Sequence, residues 1–160
     1  MADDERDASA GARHSGTRAA AEAWEELFRA QVTLMRRFER DGNFEPLATR
    51  EYDVLFQLSL GTGEGMRMRE LNELILLSQP SLSRMVDRLS AKGLVRRVPA
   101  PDDARGVLVA LTAAGAELQQ TIGRAHVRSI RRYVGGALGE DELAELGRLA
   151  RKLRDAQRGL

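Results

Sequence analysis

The chain has 160 residues, of which 42% are hydrophobic, 31% are charged and only 4% are aromatic, a balance typical of a compact, mostly helical protein with an aliphatic core. The absence of cysteine excludes disulfides, thiolate catalysis and cysteine-based redox sensing. No stretch approaches the roughly 20 apolar residues of a membrane span, and the polar N-terminus lacks the apolar segment of a secretion signal. We therefore expect a cytoplasmic protein that does not enter the membrane.

Charge is unevenly distributed along the chain. The formal net charge is only +1, yet residues 66–112 contain eight basic and five acidic side chains. A locally basic segment in a near-neutral chain favours a surface that faces a polyanion. A solvated basic helix face is the alternative explanation.

The first 45 residues divide into a tail and a helix. Residues 1–17 lack apolar periodicity and are predicted to be a disordered tail. From Arg18 to about Arg40 apolar side chains recur every three or four residues, which predicts an amphipathic helix. Turn-forming residues at 41–43 end it.

Three shorter helices are predicted next. The first two cover about 49–60 and 69–76, and the third follows Ser78, a typical N-cap, with Pro80 in its first turn and Gly93 at its end. Apolar residues of the third helix share one face: Leu82, Met85, Val86 and Leu89. Polar residues share the other: Ser81, Arg84, Asp87 and Arg88.

The hydrophobic period then changes from 3.6 to 2. Alternating runs at 94–98 and 107–111 predict two strands, and the polar connector 99–106 predicts a projecting hairpin loop. A long helix capped by Thr112 and a last helix over about 140–157 complete the chain. The predicted fold is mainly α with a small β-wing (α+β), a winged helix-turn-helix at 46–112.

This order of elements predicts binding to duplex DNA. A helix about 10–12 Å across fits the major groove, which is about 12 Å wide, while a wing reaches the adjacent backbone or minor groove. Arg84 is placed to pair with a guanine and Arg88, one turn later, to meet phosphate. Ordinary solvated arginines are the alternative. The DNA-facing residues predicted on this helix are Ser78, Gln79, Pro80, Ser81, Ser83, Arg84 and Arg88.

Two stretches of the chain carry recognisable motifs. Residues 81–97 contain Val-Asp-Arg-Leu followed by Lys-Gly-Leu-Val, and residues 101–115 contain Asp-x-Arg followed by Leu-Thr-x-x-Gly. Together these motifs resemble the signature of the MarR family of regulators. The resemblance implies that Asp103 orients Arg105, whose side chain enters the minor groove. Many members have a second wing arginine where this chain has Ala104, which puts one wing contact in doubt.

The helices outside the winged domain are predicted to form a dimer. Segments 18–45 and 113–160 are amphipathic and unnecessary for a winged helix, so they are available to bury their apolar stripes against a second copy. The resemblance also implies a homodimer. A two-fold dimer would read a pseudo-palindromic duplex of about 16–20 bp.

The resemblance further implies a repressor that is relieved by a small, often aromatic or phenolic, effector. Candidate pocket walls are Trp24, Phe28, Tyr52 and Phe56, although core packing explains them equally well. His126, alone on its helix, is interpreted as a surface or interface residue. The alternative function is a helical dimer that binds ligands or proteins but not DNA.

An enzymatic function finds little support in the sequence. The chain has no nucleophile–base pair, no paired carboxylates in a plausible cleft and no metal-ligand spacing. We therefore expect no catalytic residue, metal or cofactor.

Overall fold

The computed structural model describes residues 2–61, 63–101 and 103–157, and describes the backbone alone for residues 2–15, 104 and 105. The chain divides into two compact units, residues 1–41 and 42–160. In the described ranges, no helix combines the length and the apolar character needed to cross a membrane.

The first unit consists of one helix, α1 (Ala2–Arg40). Residues 1–17 are expected from their composition to be a disordered tail, but residues 2–17 continue the helix; Met1 lies outside the described residues. The physical reason is that a helix needs no apolar period to extend once it is nucleated, and alanine, frequent in this segment, is the strongest helix former. The ion pair between Arg18 and Glu22 (2.8 Å) links successive turns.

The second unit contains the remaining helices and one small sheet, which confirms the predicted fold class. The sheet is antiparallel with strand order β1-β3-β2. The elements are α2 (Thr49–Ser59), β1 (Met66–Arg67), α3 (Met68–Leu74), α4 (Gln79–Ala91), β2 (Val95–Ala100), β3 (Asp103–Leu111), α5 (Ala113–Tyr133) and α6 (Glu140–Asp155).

The wing hairpin differs from its prediction. Residues 99–106, expected to form a projecting loop, belong mostly to the strands, which stay paired as far as Ala100 and Asp103. Proline and glycine at these positions favour a loop in the sequence. However, β2 is an edge strand, where Pro99 is tolerated, and the register shift between Pro99 and Ala100 absorbs the irregularity.

The core of the second unit lies between α2, α3, α4 and the sheet. The predicted apolar face of α4 is confirmed, since Leu82, Met85, Val86 and Leu89 are all buried. The largest fully buried side chains in the described residues are Leu55, Leu71, Leu82, Leu89, Val54, Val86 and Val109. Burial of one face fixes which side of α4 points outward.

The junction between α4, β2 and α5 is tightly packed. Gly93 ends α4 with φ +71°, a backbone conformation that favours glycine. Thr112 caps α5 as predicted, because its hydroxyl accepts the Gly115 N–H at 3.0 Å and donates to the Gly93 carbonyl at 2.6 Å. A Cβ on Gly115 would lie 1.9 Å from the Leu94 carbonyl oxygen. Only glycine therefore allows this close approach of α5.

The C-terminal helices carry apolar side chains that their own unit leaves exposed. Helix α6 has no buried residue. The exposed large hydrophobic residues on α5 and α6 are Val127, Ile130, Leu146, Leu149 and Leu153.

Candidate nucleic-acid interface

The N-terminus of α4 presents connected polar groups on an exposed helix end. Ser78 is the N-cap with an extended backbone, as predicted, but its hydroxyl does not cap the helix amides. It donates instead to Ser81 Oγ at 2.9 Å, and Arg84 Nη2 donates to the same oxygen at 3.4 Å. The first backbone N–H groups and the positive end of the helix dipole face the same region, which suits an anion.

The predicted reading residues all lie on the side of α4 that faces away from the core. Ser78, Gln79, Pro80, Arg84 and Arg88 are exposed. Ser81 and Ser83 are half-buried at the edges of this face. We call the surface formed by these seven residues the reading face.

An ion pair joins α4 to the wing. Arg97 on β2 donates from Nη1 to Asp87 Oδ1 on α4 at 2.9 Å. Both side chains are partly exposed. The pair links α4 to the hairpin, and both elements would contact DNA in the same complex. No local spacing in the sequence connects these two positions, so the pair could not be predicted.

Asp103 lies at the tip of the wing, in the last strand pair before the turn. Its Oδ2 atom lies 3.4 Å from Nη1 of Arg67 on β1, and both atoms lie 2.9 Å from where a Cβ on Gly106 would be. The side chains of Ala104 and Arg105 lie outside the described residues. The orientation of Arg105 by Asp103 therefore stays a prediction. The contact between Asp103 and Arg67 was not predicted from the sequence.

A partly buried ion pair joins the other end of α4 to α2. Lys92 Nζ donates to both carboxylate oxygens of Glu51 on α2, at 2.9 and 3.0 Å, and Glu51 is only 7% exposed. Burial acts to raise the pKa of Glu51, but hydrogen bonds from Lys92 and Ala48 and the charges of Lys92 and Arg88 outweigh it. The pKa of Glu51 therefore lies below the usual glutamate value.

The candidate pocket residues form two stacked pairs, one in each compact unit. Trp24 and Phe28 stack on α1 with ring centroids 6.3 Å apart, and both are exposed. Tyr52 and Phe56 stack on α2 at 6.1 Å. Tyr52 is buried, which raises the pKa of its hydroxyl, whereas Phe56 is partly exposed.

His126 packs inside its own unit. Its ring lies 5.0 Å from Phe44 and 6.2 Å from Tyr52 between centroids. Nearby, Ser129 Oγ donates to the buried Asn43 Oδ1 at 2.8 Å. Burial lowers the pKa of His126. His126 is thus half-buried and packs against two aromatic side chains of its own unit, and its interpretation as a surface or interface residue stays a prediction.

Comparison with known proteins supports the regulator interpretation. A sequence profile of the MarR family matches residues 46–106. The multiple antibiotic resistance protein MarR of Escherichia coli (strain K12) is 37% identical over 84 residues, which are 52% of this chain and 58% of that protein. The match thus spans little more than half the length of this relative.

Two solved structures extend the likeness over most of the chain. AbsC, a MarR family transcriptional regulator from Streptomyces coelicolor, is 30% identical with a TM-score of 0.75, covering 86% of this chain and 93% of AbsC. Sco3205, another from the same organism and solved in complex with DNA, is 27% identical with a TM-score of 0.71, covering 85% and 89%. Family profile, fold and motifs agree: the chain belongs to the MarR family of transcriptional regulators, which are not enzymes.

Proposed function

We propose that this chain is a cytoplasmic, homodimeric repressor that binds a pseudo-palindromic DNA duplex and releases it when a small aromatic or phenolic effector binds. The observation that carries the DNA-binding part is the division of α4 into two faces. Its apolar side is buried in the core, so Gln79, Arg84 and Arg88 are held outward on a rigid element.

The reading face has the chemistry needed for a major groove. Arg84 reaches guanine O6 and N7 as a bidentate donor, and Gln79 lies at the helix end that approaches base edges. Arg88 and the amides of the first turn bind phosphate. Arg105, at the hairpin, enters a narrow minor groove, where the negative potential is enhanced.

The exposed apolar stripes of α5 and α6 support the proposed dimer. Two-fold symmetry would place two copies of α4 in successive major grooves about 34 Å apart, which sets a site of about 16–20 bp. The likeness to Sco3205, whose structure contains DNA, supports the same mode of binding.

The effector part of the proposal depends on the two aromatic pairs, Trp24 with Phe28 and Tyr52 with Phe56. An exposed aromatic ring offers a face on which a planar aromatic ligand can stack. Its test is displacement of bound duplex by 2-hydroxybenzoate, with cyclohexanecarboxylate as the non-aromatic control. Release by both acids, or by neither, would contradict the aromatic effector.

The DNA-binding proposal is tested with duplexes selected from a randomised library by the wild-type protein. The double variant Arg84→Ala, Arg105→Ala should bind the selected duplex at least about a hundredfold more weakly, because each lost base-edge contact costs about tenfold or more.

Arg148→Ala is the matched control, since Arg148 on α6 is exposed and paired only to Glu145 among the residues described. It should bind like the wild type. Unchanged binding by the double variant would refute the reading face. A wild type that forms dimers but selects no duplex would favour the alternative, a dimer that binds ligands or proteins without DNA.

A further inference from the structure

Three helices of the second unit begin with the same capping hydrogen bond. In α2, α3 and α6 the third residue is a glutamate whose carboxylate accepts the backbone N–H of the N-cap residue. The distances are 3.1 Å from Ala48 to Glu51, 3.0 Å from Arg67 to Glu70 and 2.8 Å from Gly139 to Glu142. Capping alone therefore does not distinguish Glu51 from the other two.

What distinguishes Glu51 is its burial and its second partner. Glu70 and Glu142 are exposed. Glu51 is buried, and it is the only one of the three for which a hydrogen bond to a cationic side chain is described, that of Lys92. A buried carboxylate is costly unless it is paired and hydrogen-bonded. Burying the Glu51 carboxylate thus costs free energy that helix capping alone does not require.

Lys92, the partner of Glu51, lies at the C-terminal end of α4. Lys92 is the C-cap residue of α4, with its backbone N–H bonded to the Arg88 carbonyl at 3.0 Å. Because Glu51 belongs to α2, the ion pair joins the start of α2 to the end of α4. This end of α4 lies opposite to Gln79.

We propose that Glu51 is a positioning residue for DNA reading, which holds α4 through Lys92 at the angle that Gln79 and Arg84 need to reach base edges. This inference rests on the proposed function, because it assumes that α4 reads DNA. Glu51 itself does not touch DNA. A positioning role affects a sequence-specific complex more than a non-specific one, since phosphate contacts tolerate small changes of helix angle and base contacts do not.

The direction in which one substitution changes DNA affinity distinguishes a positioning role from a purely electrostatic one. Glu51→Gln keeps an acceptor for the Ala48 N–H, because glutamine also serves at this position of a capping box, but it removes the charge that holds Lys92. If only charge mattered, deleting a carboxylate near the reading face would strengthen binding to a polyanion. Positioning predicts the opposite, weaker binding to the specific site.

The experiment compares two probes, the duplex that the wild type selects from a randomised library and a scrambled duplex of equal length. We expect Glu51→Gln to bind the selected duplex about tenfold more weakly, a typical size for a residue that acts through another, and to bind the scrambled duplex like the wild type. Lys92→Gln should show the same selective loss, and the double variant no further loss. Lys92→Arg should restore most of the binding.

Glu70→Gln is the matched control, with the same capping geometry in α3 but exposed, and it should leave both affinities unchanged. Thermal unfolding of each variant shows whether the fold is kept, and if Glu51→Gln fails to fold, the partly exposed Lys92 provides the decisive variant. Equal or tighter binding of the selected duplex, or an equal loss on both probes, overturns the inference alone. A wild type that selects no duplex overturns the proposed function instead.

Discussion

Helices α4 and α6 carry apolar residues at the same helical spacing, but the second unit covers only one of them. In α4, Leu82 and Leu89 are fully buried against the winged domain. In α6, the corresponding stripe stays open, with Leu146, Leu149 and Leu153 between 43% and 51% exposed. An apolar period in a sequence therefore shows which face of a helix avoids water, but not whether the same chain or another one covers it.

The largest expected effect comes from truncating a leucine on the buried face of α4. Leu89→Ala should lower the free energy of unfolding by about 2–5 kcal/mol, because a fully buried leucine leaves a cavity. Leu76→Ala is the matched control, since Leu76 is 87% exposed, and it should change stability by less than about 0.5 kcal/mol. Urea unfolding measures both. Similar values for the two variants would contradict the assignment of the core.

A pair of glycine variants tests the same contrast with one chemical change. Gly115→Ala should destabilise by about 1–3 kcal/mol or more, because its Cβ would overlap the Leu94 carbonyl oxygen and α5 would have to shift. Gly147→Ala in α6 should instead stabilise by about 0.5–1 kcal/mol through helix propensity, since within the described part of the chain the added Cβ would meet only the flexible end of Arg151 within 4 Å. Thermal unfolding distinguishes the two signs, and a loss of equal size at both positions would show that α6 is as closely packed as α5.

The open stripe is tested by self-association. Leu149→Gln should raise the dimer dissociation constant by about ten- to a hundredfold, the cost of placing a polar side chain where a leucine would be buried. Sedimentation equilibrium measures the constant. Leu60→Gln, at an exposed position after α2, is the control and should not change it. A dimer that tolerates Leu149→Gln would mean that another surface joins the two copies.

The local parts of the fold could be predicted from the sequence. The two faces of α4, the Thr112 cap and the end of α4 at Gly93 each depend on residues close together in the chain. For the same reason the outward position of Arg84 and Arg88 followed directly from helical spacing.

Contacts between distant residues could not be predicted in this way. Glu51 and Lys92 are 41 positions apart, and Arg67 and Asp103 are 36 apart. No periodicity relates such positions, and surface charges have many possible partners until the helices are packed. The two strands of the hairpin are also longer than the sequence predicts. Pro99 usually indicates a loop, but an edge strand such as β2 tolerates it.

The smallest expected effect concerns the packing of α5 on α2, through His126. Because burial lowers the pKa of this histidine below its ordinary value of 6.5, the unfolded chain binds its proton at a higher pH than the folded chain does. The free energy of unfolding should therefore fall as the pH drops through about 6.5 toward the lower pKa of the folded state. The pKa of Glu51 is shifted downward from 4.5, so the stability that Glu51 provides is lost only at lower pH. Urea titrations at several pH values should show a shallower dependence for His126→Gln than for the wild type, and identical slopes would mean that His126 is equally accessible to protons in both states.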